Sequence, residues 1–187
     1  ADLKHLSARI VRYGRRPNMS SLIRRPLDAV RRQVLHSFHY ENDCFRVQLI
    51  QNIGAIDGNS PCATPEWEAV KRGGDAAIKR WIDTNMSYRS CVIVMVGGLT
   101  ATRKWVHYEI NKAIGDGRGL FGIYVHNLHC ARQRGMSVKG LNPFDYHERG
   151  GHRLSDLVPC YDPGVEAYDV IRARMGTWVE NAITAAR

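Results

Sequence analysis

A parallel α/β fold, with a central sheet of about five strands, helices on both faces and a helix added at the C-terminus, is the fold class this sequence predicts. Three observations carry it. Cys91 to Val96 is an unbroken apolar run, the pattern of a strand covered on both faces, and Leu120 to Val125 repeats it. Gly97 and Gly98 end the first run, and a helix is expected from near Thr102, with Val106, Ile110, Ala113 and Ile114 on one stripe against the sheet. Strand-like and helix-like segments alternate from Gln33 onward, the order of a flavodoxin-like sheet.

Residues 1–32 are expected to stand apart from this domain. They are Arg-rich, poor in acid and interrupted by Pro17 and Pro26, and read as a basic leader, an extension or poorly structured segment with Met19 as a candidate start. Residues 33–187 form the predicted domain. Gln33 to Ser37 is its first strand candidate. Asn42 or Asp43 is expected to cap the next helix, with Phe45, Leu49 and Ile53 as its inward positions. Ile53 to Pro61 reads as loop, with a short strand at its start. Thr64, Pro65 and Glu66 make a helix start of cap, proline and acid. Gly73 and Gly74 break that helix, and Asp75 restarts one through Ile78, Trp81 and Ile82. The helix that carries Glu109 ends in the Gly115 to Gly119 cluster. Residues 127–160 read as irregular, and a last helix over about 163–185 is expected to bury Tyr168, Ile171, Met175 and Trp178.

Composition narrows the function classes. With 187 residues, 44% hydrophobic and 24% charged, the chain suits one globular domain with a sizeable core. No apolar run approaches the roughly 20 residues of a membrane span. The formal charge of +9 would favour nucleic acid, but residues 1–32 hold nine Lys/Arg against Asp2 and Asp28, so the remaining 155 residues carry only +2. Nucleic-acid binding by the domain thereby loses most of its compositional support. The cysteines at 44, 62, 91, 130 and 160 lack metal-ligand spacing, and their odd number favours reduced thiols. No metal site is assigned.

Chemistry is expected where the first and third strands part, beyond their carboxyl ends. Two turns should face each other there, Ser37 to Asp43 after the first strand and Gly97 to Thr102 after the third. Phe38, His39 and Tyr40 offer stacking and hydrogen-bonding groups. The Gly97–Gly98 backbone and the helix start behind it could accept a phosphate, with Arg103 and Lys104 adding positive charge. Glu109, four residues after Trp105, shares its helix face and borders the crevice. Each element also has a plainer explanation: the glycines as an ordinary turn, Trp105 as core packing, Glu109 as a solvated charge. Their convergence on one edge gives the set its weight. An aromatic crevice that tolerates phosphate and holds one carboxylate suits a nucleotide whose ribose reacts.

The motifs SFHY (Ser37 to Tyr40), RSCVIVMVGG, KWVHYEI and KGLNPFDY (Lys139 to Tyr146) occur in an order that resembles the TIR domain, in particular the ThsB-like TIR proteins of the bacterial Thoeris antiphage system. The resemblance runs from about Gln33 to Tyr146. It implies a flavodoxin-like TIR fold, with Glu109 as the catalytic glutamate of a WxxxE helix and Ser37, Phe38, His39 and Tyr40 lining a nucleotide pocket; no assembly residue is carried over to the Asn52 to Asp57 region. It further implies a cytoplasmic enzyme that cleaves the nicotinamide ribosyl bond of NAD, with NAD as substrate and no cofactor. The product would be an ADP-ribose derivative, cyclic by that resemblance, sensed by a separate effector protein in antiviral defence. The implied partners are that effector and a homo-oligomer or TIR–TIR assembly, with no membrane.

One carboxylate suffices for that reaction, because nicotinamide leaves its pyridinium form as a neutral base and needs no acid. Glu109 would hold the ribose hydroxyls and stabilise the developing oxocarbenium ion, or attack it transiently. Three other classes stay open. A catalytically silent TIR scaffold would act through homotypic assembly, a nucleoside deoxyribosyltransferase-like enzyme would process deoxynucleosides and ignore NAD, and a nucleic-acid binder would depend on residues 1–32.

Overall fold

The computed structural model describes residues 32–53, 57–58 and 65–187. The basic leader, apart from Arg32, therefore lies outside the described residues, as do Thr64 and Cys62. The apolar runs form strands because neighbouring strands and helices cover both their faces. β1 (Gln33–Ser37), β2 (Asp57–Gly58), β3 (Cys91–Val96), β4 (Gly119–Tyr124) and β7 (Cys160–Tyr161) make one sheet in the order β2-β1-β3-β4-β7. Every pairing in it is parallel. This is the predicted flavodoxin-like order. Between β4 and β7 lies a two-residue hairpin, β5 (Glu148–Arg149) with β6 (His152–Arg153).

Among the described residues the helices are α1 (Tyr40–Gln51), α2 (Pro65–Arg72), α3 (Gly74–Ser87), α4 (Lys104–Gly115) and α5 (Leu154–Leu157), which lie between strands, and α6 (Ala167–Ala185), which follows the last strand. Two apolar layers result. On one face, α1 and α6 bury Val47, Ile50, Ile171, Met175 and Val179 against Val34, Ile93 and Phe121. On the other, α3 and α4 bury Ile82, Met86, Val106 and Ile110 against Leu35, Val92 and Val94. Successive residues of β3 point to opposite faces, so an uninterrupted apolar run is what a doubly covered strand requires. No described helix is long and apolar enough to cross a membrane.

The expectations for α1, for α6 and for residues 127–160 need correction. In α1 the inward positions are Asp43, Cys44, Arg46, Val47 and Ile50, and Phe45 and Leu49 face outward. A four-residue apolar repeat misleads here because the inward stripe contains an ion pair. His39, not Asn42 or Asp43, is the N-cap of α1. In α6, Tyr168 is exposed and Val179, Ala182 and Ile183 are buried in addition to Ile171 and Met175. Trp178 is half-buried and stacks on Tyr161 of β7, with centroids 4.3 Å apart and planes 9° apart. The expected irregular segment contains a 3-10 turn at Pro143–Tyr146, the hairpin, α5 and the fifth strand. Two-residue strands are too short to leave a periodic trace.

Candidate functional site

β1 ends at Ser37, opposite Val94, while β3 continues through Met95 and Val96. The turn after β1 therefore meets the end of β3 at the carboxyl edge of the sheet. Ser37 is 1% exposed, and Glu109, projecting from α4, is 8% exposed. Burial pushes the Glu109 carboxyl up to about 7, and the nearby Ser37 hydroxyl holds it back from rising further. That hydroxyl makes no hydrogen bond of full geometry to a protein group. A solvated surface charge would show neither burial nor such a shift.

The remaining predicted residues lie on the connections after β1 and β3 and at the start of α4. His39 is buried, and its pKa is lowered first by desolvation and then by the positive charge of Arg103, with Glu41 opposing. The turns after β1 and β3 thus face each other through His39 and Arg103. Phe38 and Tyr40 are half-buried, their rings tilted at 40° with centroids 6.3 Å apart. Trp105 sits edge-on to Tyr108 at 5.8 Å, beneath the Lys104 ammonium, and packs on the α3/α4 core layer. Its environment is that of helix packing.

The glycine turn differs from a free phosphate cradle. The Gly97 N–H donates to Thr100 Oγ1 at 2.9 Å, and Thr100 Oγ1 in turn donates to the Met95 carbonyl at 3.2 Å. Gly97 is buried and Gly98 exposed. A Cβ at Gly97 would collide with the Asp43 carboxylate. Gly97 therefore serves close approach, and its amide is already committed. Gly97→Ala is expected to cost about 1–3 kcal/mol of stability, measured by denaturant unfolding, because Asp43 is held by Arg46 and cannot retreat.

Asp43 and Arg46 are the site-forming residues that sequence reasoning missed. Asp43 is 1% exposed, and burial pushes its carboxyl up to about 6 against the pull of Arg46. Arg46 is fully buried; it donates to the Leu128 carbonyl (2.9 Å), the Asn42 carbonyl (3.2 Å), Asp43 Oδ1 (3.3 Å) and the Gly135 carbonyl (3.2 Å). The i, i+3 spacing of an acid and a base was the available signal.

Among the described residues, Ser37 Oγ, His39 Nδ1, Asp43 Oδ2, Arg103 Nε, His126 Nδ1 and Ser137 Oγ are buried without a protein hydrogen-bond partner. They come from the end of β1, the turn after it and the start of α1, and from the connections that follow β3 and β4. Folded proteins leave few such atoms without a partner, so these groups are the ones open to a polar ligand or to water. A cavity of about 340 Å³ lies elsewhere, beside Leu49, Leu128, Val165 and Tyr168. Glu109 does not line it, and the buried carboxylate outweighs volume as a guide to chemistry.

Residues 36–129 match the family described as Thoeris protein ThsB, TIR-like domain. The chain belongs to this family. A relative from Bacillus cereus (strain MSX-D12), named as a candidate cyclic ADP-D-ribose synthase ThsB1, is 35% identical over 120 residues. That alignment spans 62% of this chain and 62% of the relative's length. The TIR-like match begins at His36 and so contains Ser37, the glycine turn and Glu109, while the KGLNPFDY segment lies beyond it.

Proposed function

We propose that this TIR-like domain cleaves NAD at the nicotinamide ribosyl bond and forms an ADP-ribose-derived, cyclic signalling nucleotide. The observation that carries the proposal is Glu109, buried beside Ser37 at an edge crowded with unpartnered polar groups. The name of the Bacillus cereus relative supports the same product class.

The C1′–N bond breaks with its electron pair going to the nicotinamide nitrogen, which neutralises the pyridinium. The ribose is left cationic at C1′, and Glu109 faces that charge. A hydroxyl or ring nitrogen of the same molecule then bonds to C1′ and closes a ring, or water does so and gives linear ADP-ribose. A hydroxyl or water releases one proton as it bonds, which a carboxylate titrating near 7 can take up and pass to solvent, whereas a ring nitrogen bonds through its lone pair and takes over the positive charge. Phe38 and Tyr40 would hold the rings of the dinucleotide, and Arg103 with the exposed Gly98 would meet its pyrophosphate. NAD is substrate here, and no cofactor is needed. The same reading puts the protein in the cytoplasm, with a separate effector that senses the product in antiphage defence and with self-assembly as a further contact.

Incubation with NAD, followed by chromatography for nicotinamide, tests the proposal. A folded protein that releases none and also ignores deoxynucleosides would be a scaffold instead. The pH profile gives a second check. Glu109 must ionise to act, so kcat/KM is expected to rise with pH and level off above about 7. The pyridinium charge of bound NAD pulls the carboxyl down, so the kcat profile should lie at lower pH than that of kcat/KM.

A further inference from the structure

The segment from His126 to His147 crosses the carboxyl edge of the sheet as a strap and is fastened at both ends by buried polar groups. At its start, the fully buried Arg46 of α1 holds the Leu128 and Gly135 carbonyls. At its end, His147, 8% exposed, is tied to α4. His107 Nε2 lies 2.9 Å from the Ala101 carbonyl and must donate to it, which leaves Nδ1 to accept from His147 Nε2 at 2.8 Å. His147 Nδ1 lies 2.9 Å from Asn111 Oδ1, and with His147 neutral the amide must turn so that its nitrogen donates to Nδ1. Phe144 is fully buried in the α3/α4 layer. Between the two ends, Lys139 pairs with Asp162 at 2.7 Å and lies over the Tyr124 ring.

The strap meets the glycine turn where Gly140 rests on the Gly97 carbonyl so closely that a Cβ would collide with it. The Val138 carbonyl beside it lies against Gly98. The strap is thus a wall over the glycine turn at the end of β3, and its far end is tied through His147 to α4, the helix that carries Glu109.

We propose that this strap decides the fate of the ribosyl cation by keeping water from C1′, so that ring closure outruns hydrolysis, with Gly140 and the His107–His147–Asn111 chain as its positioning residues. The inference rests on the NAD-cleaving reading above. It concerns which nucleophile arrives after nicotinamide has left, not whether nicotinamide leaves. Water is small and needs only a gap, whereas the internal nucleophile must be held in line, so a lifted wall favours water first.

The test measures linear against cyclic product per nicotinamide released, in the full chain and three variants. Gly140→Ala forces the strap off Gly97 and is expected to raise the linear-to-cyclic ratio about tenfold while nicotinamide release falls less than about threefold. Asn111→Ala, at an exposed residue, frees His147 Nδ1 and should raise the ratio about threefold. Ile183→Val weakens the core where α6 packs on Gly119 at the start of β4, the end remote from the strap, and should leave the ratio at the parental value. An unchanged ratio in both strap variants, with nicotinamide still released, overturns the strap's role. So does a parent that makes only linear product. A parent that releases no nicotinamide removes the NAD reading itself, and the strap proposal with it.

Discussion

Glu109→Gln is expected to lower nicotinamide release at least about a thousandfold while making the protein more stable above pH 7. The two effects share one cause. The carboxyl titrates near 7 in the fold because it is buried, against an ordinary value of 4.5. Its protonated form is therefore favoured by folding, and that advantage, complete below about pH 4.5, is lost as pH rises through 7. At pH 8 the buried negative charge costs about 3 kcal/mol, which neutral Gln does not incur. For a chain of this size the variant's melting temperature should exceed the parent's by roughly 6–12 °C at pH 8 and approach it near pH 5. A variant that loses activity and stability together would show that Glu109 acts as a packing residue. Turnover within a few-fold of the parent would remove it from the chemistry.

Arg46→Met is expected to give the largest loss of stability. The guanidinium is fully buried and spends its donors on three carbonyls and one carboxylate drawn from α1 and the strap. Methionine replaces its stem but leaves those acceptors buried and unanswered. Removing one partner of such a pair costs about 3–5 kcal/mol. Asp43 limits the damage, because its carboxyl already titrates near 6 and without Arg46 would rise further and be neutral at pH 7. The double variant Asp43→Asn with Arg46→Met should then recover part of the loss, and a double-mutant cycle in denaturant measures how much. If the single variant loses under about 1 kcal/mol, the pair does not hold the strap to α1.

Legibility followed the range of the interactions. β3 and β4 were readable because a doubly covered strand writes six successive apolar letters. The start of α2 at Pro65 and its break from α3 at Gly73–Gly74 depend on backbone preferences of the residues themselves. The spacing from Trp105 to Glu109 was visible for the same reason. The inward face of α1 was not, because Asp43 and Arg46 are hydrophilic letters that become core only when the carbonyls of Leu128 and Gly135 arrive. Residues 127–160 looked irregular and are, yet they hold the fifth strand and the strap.

The sequence by itself determined the order of strands and helices as far as β4, the glycine breaks and the candidate glutamate, since each depends on neighbours within a turn of helix or a length of strand. Only the tertiary structure decided that Glu109 is buried against Ser37, that Gly97 has its amide committed to Thr100, and that His147 reaches His107 and Asn111. Those facts arise from contacts between segments far apart in the chain, where desolvation, not local preference, sets the chemistry.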